Sequence, residues 1–276
     1  GTLEIGNMNR SMTMQLIFKQ PGITRAELAK AMGLTGAAVS KIVQALLDIG
    51  VIRETGYVAG GKGRRAIGLE VNTHLFNVLA FRISRREIDW GLFDLSTRKL
   101  ETGQEPLTPS STQEEIIGII TEHIDTYLST YNNIKAISIA APGPFDMKSK
   151  KVLGVTGLGR FNRLDLSELE SLDLPVPVYF IHDAHAGVMA EWLNNAEYYT
   201  EEKTLAYYYV DEGVGAGVIA DGQINFGQNG MACEIGHVSI DVNGPACTCG
   251  NFGCLELYSS ALSFLDRALL QRKRYP

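Results

Sequence analysis

No apolar run in the sequence is long enough to cross a membrane, and the first residues lack the pattern of a signal peptide. Cysteine is scarce, with four residues among 276, and three of the four lie within eight positions. This clustering is typical of metal ligands and differs from the framework of a disulfide-rich secreted protein. Internal repeats and low-complexity segments are also absent. We therefore expect a cytoplasmic globular protein in a reducing compartment, long enough for two domains.

The net charge of −6 is unevenly distributed along the chain. Residues 1–71, called the head below, carry nine Lys and Arg against five Asp and Glu, a net charge of +4. Residues 72–276, called the body, carry sixteen against twenty-six, a net charge of −10. A basic segment joined to an acidic one suggests that the basic segment binds a polyanion. We expect the head and the body to be separate domains.

The head has the pattern of a winged helix-turn-helix. Thr24 is predicted to cap its second helix, and Glu27 three residues later completes a capping box. Thr35 is predicted to cap a third helix, which in such a pair enters the major groove of DNA. Strand-like residues then flank a glycine-rich basic tip, residues 60–65, which predicts a wing.

The candidate DNA contacts are the outward-facing residues of the third helix and the basic residues of the wing. Small residues at the start of that helix allow close approach to DNA, and polar ones further on can reach phosphates or base edges. The set is Thr35, Ala37, Ala38, Ser40, Lys41, Gln44, Lys62, Arg64 and Arg65. The alternative is an ordinary three-helix bundle with a solvated polar face. The wing favours operator DNA as a partner.

One motif in the head resembles a phosphate-binding P-loop. Residues 56–62 match most of that motif. Gly63 follows at the position where the motif needs Ser or Thr to hold magnesium, and no helix is predicted after it. We therefore exclude a P-loop.

A histidine and three cysteines near the end of the chain predict a metal site. Three thiolates and one imidazole are the ligand set of a closed tetrahedral zinc site with a structural role. The predicted Zn²⁺ ligands are His237, Cys247, Cys249 and Cys254. Gly250 and Gly253 allow the tight turns that such close spacing requires. The alternative is that these cysteines are small buried apolar residues. Cys233 lacks the same glycine-cysteine context and is left out.

The body has the pattern of an α/β domain with a mixed sheet. Predicted strands lie at residues 77–83, 87–95, 99–101, 134–140, 176–181, 204–210 and 214–220, and predicted helices at 112–131, 184–195 and 260–274.

The motifs of the body resemble those of the ROK family, whose name covers repressors, open reading frames and kinases. In order they are Ala-Pro-Gly-Pro at 141–144, Asp183-Ala184 after a strand, Gly-Val-Gly-Ala-Gly at 213–217, Glu-Ile-Gly-His at 234–237, and the cysteine segment 247–256. In the head, residues 25–29 and 63–65 fit the branch of xylose- and N-acetylglucosamine-type sugar-responsive repressors. The resemblance implies a winged helix-turn-helix followed by an actin-like, ribonuclease H-like domain with sugar in a cleft between two lobes. Family members usually continue past the zinc region, so we expect this chain to be truncated at the C-terminus or to lack segments.

The resemblance also implies a set of sugar-binding residues. They are His182, Asp183, Glu234, His237 and Glu256. Asp183 stands where family kinases place the general base, although it is also positioned to cap the helix after it. Carboxylates accept hydrogen bonds from adjacent hydroxyls, which favours polyols. A zinc site that fixes the neighbouring segments would hold both glutamates in place. His185 is either a polar contact or a residue on a solvated helix face.

Two loops depart from the family kinases. Arg82-Ile83-Ser84-Arg85-Arg86 stands where those kinases have Asp-x-Gly-Gly-Thr, and Asp211-Glu212 precede Gly213 where they usually have a small hydroxyl residue. Phosphoryl transfer needs a phosphate cradle and bound magnesium, and two carboxylates repel phosphates. We expect the arginines to form a solvated surface and the chain not to be an enzyme.

The sequence therefore predicts a sugar-responsive transcriptional repressor that binds DNA as a homodimer or homotetramer. Two alternatives stay open. One is an ATP-dependent sugar kinase with an added DNA-binding head. The other is a constitutive repressor whose cleft no longer binds sugar, because His182 replaces the Asn that is common in the family.

Overall fold

A computed structural model describes residues 2–59, 65–108, 110–143, 145–153, 164–195, 204–228 and 230–274. The chain divides into two compact units. The first contains Gly1–Asn77 and Phe93–Lys99, and the second contains Val78–Leu92 and Leu100–Pro276. None of the helices in these described ranges combines the length and the apolar character that crossing a membrane requires.

The first unit is the predicted winged helix-turn-helix. Its elements are α1 (Thr2–Lys19), β1 (Ile23–Thr24), α2 (Arg25–Met32), α3 (Gly36–Asp48), β2 (Ile52–Ala59) and β3 (Arg65–Val71). Antiparallel β1, β3 and β2 form its sheet in that order. The side chains of Thr24 and Glu27 exchange hydrogen bonds with each other's backbone amides, which confirms the predicted capping box. Of the predicted wing tip at 60–65, residues 60–64 lie outside the described residues.

An apolar core holds the three helices of the first unit on its sheet. Ile17 from α1, Leu28 from α2 and Val39 and Val43 from α3 are fully buried together with Leu69 of β3. The inward residues of α3 follow a spacing of three or four, so its opposite face stays on the surface.

The second unit begins with a five-stranded sheet, the first lobe. Its strands are β4 (Asn77–Ile83), β5 (Glu87–Asp94), β6 (Lys99–Pro106), β7 (Ile134–Ala141) and β10 (Val178–His182), in the order β10-β7-β4-β5-β6. β7 and β10 are parallel. Helix α4 (Gln113–Thr130) packs Ile116, Ile120 and Ile124 into the core of this lobe. The segment between β7 and β10 contains three short elements, β8 (Phe145–Asp146), β9 (Lys151–Val152) and α5 (Ser167–Glu170).

The second lobe is built on a smaller antiparallel sheet. Helix α6 (Asp183–Asn194) leads from β10 to β11 (Leu205–Val210), β12 (Val214–Ala220) and β13 (Gln223–Ile224). Val188 and Trp192 of α6 pack against Ile219 of β12. A loop containing the cysteines follows, and α7 (Glu256–Ser259) and α8 (Ala261–Arg274) complete the described chain. The body thus has the predicted actin-like α/β architecture, and β6 extends five residues beyond its predicted end.

Candidate ligand cleft, metal centre and nucleic-acid interface

A cleft with about 530 Å³ of open space lies between the two lobes. Its walls come from the ends of β4, β7 and β10, the β11–β12 turn, and the segments around Glu234 and Glu256. All five predicted sugar-binding residues line it: His182, Asp183, Glu234, His237 and Glu256. Strand ends and a helix start converge here, which is the usual place for a ligand site in an α/β protein.

His182 and Asp183 form a pair at the junction of β10 and α6. His182 Nε2 lies 3.1 Å from Asp183 Oδ1. The same carboxylate oxygen accepts a hydrogen bond of 2.7 Å from the amide of Ala184, so Asp183 both faces the cleft and supports the start of its helix. Burial lowers the pKa of His182, but the hydrogen bond to Asp183 and the negative charges of Asp183 and Glu234 outweigh burial and raise it. The pair therefore favours a charged imidazolium.

Three buried polar atoms of cleft-lining side chains have no hydrogen-bond partner among the described residues. They are His182 Nδ1, Glu234 Oε1 and Glu256 Oε1. Burial raises the pKa of Glu234, and the charges of Asp183 and Glu256 raise it further against the opposing charge of His182. The other oxygen of Glu256 accepts a hydrogen bond of 3.1 Å from the amide of Val214. Buried polar groups normally have partners, so these three atoms indicate a polar ligand.

His185 lies behind the cleft, which neither expectation for it anticipated. Its side chain is fully buried and does not line the cleft. Its ring packs edge-on against His182 at 5.1 Å and against Phe226 at 5.3 Å between ring centres. Burial, followed by the charge of His182, lowers the pKa of His185 to about 4. The ring of His185 thus packs behind the ring of His182, on the side away from the cleft lining.

The expected solvated surface of arginines is wrong for two of the three. The Arg85 side chain is only 11% exposed and its Nη2 lies 3.8 Å from Glu256 Oε2. Arg82 contacts Asp89 at 3.1 Å and Asp211 at 3.4 Å. Arg86 remains 67% exposed. The partners in the other lobe, Asp211 and Glu256, were not predicted because they lie more than a hundred residues away in the sequence.

Tyr209 also lines the cleft and was missed by the sequence reasoning. Its hydroxyl donates a hydrogen bond of 2.9 Å to Asp211 and contacts Arg82. The alternation of side chains along a strand places residues 209 and 211 on one face, and this periodicity was the available signal.

The four predicted metal ligands converge at one point. The ligand atoms of His237, Cys247, Cys249 and Cys254 all lie within 4.8 Å of one another. Cys249 Sγ and Cys254 Sγ are 3.6 Å apart, and Cys247 Sγ is 3.7 Å from His237 Nδ1. Tetrahedral zinc requires about 3.8 Å between two sulfurs and about 3.5 Å between sulfur and nitrogen, given its usual bond lengths. The donor set and its spacing therefore fit Zn²⁺.

The cysteine loop needs glycine at its tightest point. Gly253 has φ +60° and packs so closely on the Asp241 carbonyl that a Cβ atom would collide with it. The side-chain amide of Asn251 donates to the carbonyl of His237 at 3.3 Å, which ties the loop to the histidine. Cys233 lies outside the cluster and has φ +66°, a conformation that favours glycine.

The candidate DNA-binding face of α3 is on the surface. Ala37, Ser40, Lys41 and Gln44 are exposed, and the Thr35 side chain accepts a hydrogen bond from the amide of Ala38 at 3.3 Å. In the wing, Lys62 and Arg64 lie outside the described residues, and only the backbone of Arg65 is described. The side chains on this face are small or polar, as close approach to a DNA groove requires.

Two protein families match separate parts of the chain. The ROK family matches residues 78–275, and a winged helix-turn-helix DNA-binding family matches residues 12–53. The chain is 31% identical over 278 residues to the N-acetylglucosamine repressor of Escherichia coli O6:H1, covering 98% of this chain and 68% of that protein. It is 28% identical over 277 residues to the xylose repressor of Bacillus subtilis, covering 98% and 70%.

Solved structures show the same fold. A ROK family transcriptional regulator, described as a homologue of the Escherichia coli Mlc protein, superposes with a TM-score of 0.76 at 28% identity, covering 99% of this chain and 69% of that one. A ROK family glucokinase from Streptomyces griseus, solved with glucose and AMPPNP, superposes with a TM-score of 0.62 at 24% identity, covering 72% and 62%. The similarity to the glucokinase shows a shared fold and nothing more.

Proposed function

The chain belongs to the ROK family, and from that premise we propose that it is a sugar-responsive transcriptional repressor of carbohydrate metabolism. Residues 1–71 would bind operator DNA and residues 72–276 would bind the sugar effector. The winged helix-turn-helix match and the relatives that are repressors named for N-acetylglucosamine and xylose support this reading.

The observation that carries the sugar-binding part is the set of buried, unpartnered atoms on His182, Glu234 and Glu256. Sugar hydroxyls would donate to the two carboxylate oxygens, and Nδ1 of His182 would form a hydrogen bond with a further hydroxyl. Asp183 would accept from another hydroxyl, and His237 would contribute its remaining ring nitrogen. Such a ligand would give each buried atom the partner that it lacks.

We propose that Zn²⁺ occupies the cluster of His237, Cys247, Cys249 and Cys254 and has a structural role. Four protein ligands leave no open position for a substrate. Cys254 lies two residues before Glu256, and His237 three residues after Glu234. The metal would therefore fix both effector-binding glutamates relative to each other.

A sugar kinase is the second candidate, favoured by the glucokinase-like fold and by the position of Asp183 in the cleft. Arg82 and Arg85 contact the carboxylates of Asp211 and Glu256 instead of facing open space. These contacts support a cleft that binds sugar without transferring phosphate. ATP consumption across a panel of hexoses would establish the kinase and overturn the repressor as the primary function.

We propose that the repressor binds DNA as a homodimer or homotetramer in the cytoplasm, because paired recognition helices read pseudo-palindromic half-sites. The effector would act by binding one arrangement of the lobes more tightly than another. Analytical ultracentrifugation with and without operator DNA tests the oligomer, and a monomer under both conditions would contradict it.

The sugar-binding part is tested by a thermal-shift panel of neutral, amino and phosphorylated sugars. A ligand at about 100 times its Kd should stabilise the wild-type body by about 3 kcal/mol. Glu234→Gln and Glu256→Gln should lose most of that stabilisation, whereas Glu122→Gln, on the exposed face of α4, should retain it. A panel without any stabilising sugar would favour a constitutive repressor instead.

A further inference from the structure

Arg82 at the end of β4 and two arginines of the β4–β5 turn meet carboxylates of the second lobe across the cleft, and we call these contacts the interlobe latch. It consists of the pairs Arg82–Asp211, Arg85–Glu256 and Arg86–Glu212. We propose that Arg85 is the positioning residue of this latch, holding Glu256 in its ligand-binding orientation and joining the two lobes. The effector role of Glu256 rests on the proposed function, but the latch itself does not.

Arg85 makes three separate contacts with the second lobe. Its backbone amide donates to the carboxylate of Glu212 at 3.2 Å, and its Nη1 donates to the backbone carbonyl of the same residue. Its Nη2 lies 3.8 Å from Glu256 Oε2, and the two side chains are only 11% and 7% exposed. Removing one partner of a buried ion pair leaves the other charge uncompensated, so this pair matters more than an exposed one.

The β11–β12 turn is shaped to admit Arg85. A Cβ atom on Gly213 would lie 2.6 Å from Glu256 Oε2 and 3.2 Å from Arg85 Nη2. Both charged groups therefore occupy the space that a side chain at position 213 would take. Close approach of a backbone to two charged groups is one of the uses that only glycine serves.

The outer pairs contribute less. Arg86 is 67% exposed, and exposed ion pairs add little to stability. Arg82 divides its contacts between Asp89 of its own lobe and Asp211 and Tyr209 of the other lobe. Arg85 is therefore the residue on which the connection between the lobes depends most.

The latch also determines which oxygen of Glu256 can bind a ligand. Oε2 accepts from the amide of Val214 and faces Arg85, whereas Oε1 is buried without a partner. If the lobes separated at this point, Glu256 would lose Arg85 and keep only the hydrogen bond from the Val214 amide of its own lobe. A ligand that binds Oε1 should therefore bind the latched arrangement more tightly than the unlatched one. This difference in affinity is what allows a ligand to shift the population between the two arrangements.

Amide hydrogen exchange on the full-length, ligand-free chain tests the latch directly. The amides at positions 85 and 214 each donate to a latch carboxylate, so the wild type should protect both. Arg85→Met should raise the exchange rate at position 214 about tenfold, and molar salt should raise it in the wild type but not in the variant. Lys151→Met removes an ion pair of 2.8 Å from the same unit and should change neither rate.

Two further variants keep the test decisive. Arg85→Lys retains the charge without the forked guanidinium and should restore part of the protection at position 214. If Arg85→Met does not fold, Glu212→Gln should still raise exchange at position 85, because it weakens the carboxylate that accepts this amide. Unchanged exchange at both positions in folded variants would overturn the proposal.

The sugar panel separates failure of the latch from failure of the proposed function. If a sugar stabilises the wild type, Arg85→Met should weaken its affinity about tenfold. An undiminished affinity would contradict the positioning role. If no sugar acts on the wild type, the proposed function fails, while the exchange result for the latch stands.

Discussion

The recognition face of the head and the cleft of the body present their functional residues in opposite ways. On α3, Ser40, Lys41 and Gln44 are exposed, and buried Val39 and Val43 on the other face hold the helix. In the cleft, His182, Glu256 and Arg85 are themselves largely buried and are held by ion pairs, His182 with Asp183 and Glu256 with Arg85. Substitutions of functional residues should therefore change binding without changing stability in the head, whereas in the body, where binding and stability are coupled, they should change both.

The largest effect is expected at the metal centre, where that coupling is strongest. Cys254→Ala removes a fully buried candidate zinc ligand and should destabilise the body by about 3 kcal/mol or more, with loss of bound zinc. Thermal denaturation and metal analysis of the purified protein measure both effects. Cys233→Ala is the control, because Cys233 lies outside the cluster, and it should keep its zinc. Equal zinc content in the two variants would show that Cys254 is not a ligand.

The buried His185 should make the stability of the body depend on pH. Its pKa is about 4 in the folded state and near the ordinary 6.5 when unfolded. The unfolded state therefore takes up a proton first as the pH falls, and stability is lost between pH 6.5 and about 4, by at most about 3 kcal/mol. Urea denaturation across this range should show that His185→Leu lacks this contribution.

The control for the pH experiment is His74→Gln, since the side chain of His74 is 69% exposed. This variant should retain the pH dependence of the wild type. If the free energy of unfolding of His185→Leu depended on pH as steeply as that of the wild type, His185 would not be the neutral group responsible for this dependence.

Glu234 should be the exception to this coupling and should affect effector binding more than folding. Glu234→Gln removes a charged acceptor from a buried position and should weaken sugar binding by about 2 kcal/mol, or about thirtyfold. Because burial already raises the pKa of Glu234, the neutral amide should change the stability of the ligand-free protein little. Calorimetric titration and denaturation measure the two quantities. A large loss of stability with an unchanged affinity for sugar would show that Glu234 supports the fold and does not bind the effector.

The smallest effect on stability is expected on α3. Lys41→Ala should weaken DNA binding about tenfold and reduce its salt dependence by about one counterion, while the free energy of unfolding changes by less than about 0.5 kcal/mol. Fluorescence anisotropy at several salt concentrations measures the affinity. The control is Lys135→Ala, because Lys135 is an exposed lysine of the second unit, and this variant should bind DNA like the wild type. Equal losses in both variants would point to a general charge effect.

Local sequence signals predicted most of the fold. The capping box of Thr24 and Glu27, the alternation in the strands and the spacing of the cysteines act over a few residues. Most predicted elements appear within a few residues of their expected place, whereas the short elements β8, β9 and α5 were not predicted. The five cleft residues came together through family resemblance, because they lie on separate elements that only the fold brings near. The partners of Arg82 and Arg85 and the burial of His185 were not predictable, since they depend on how two distant segments pack.

The most direct test of the account measures the affinity of the full chain for the region upstream of its own gene across a sugar panel, with ATP turnover followed in the same samples. The account predicts that one sugar changes the DNA affinity at least tenfold without ATP consumption, and that Glu256→Gln abolishes this change. Consumption of ATP, or a DNA affinity that no sugar alters, would contradict it.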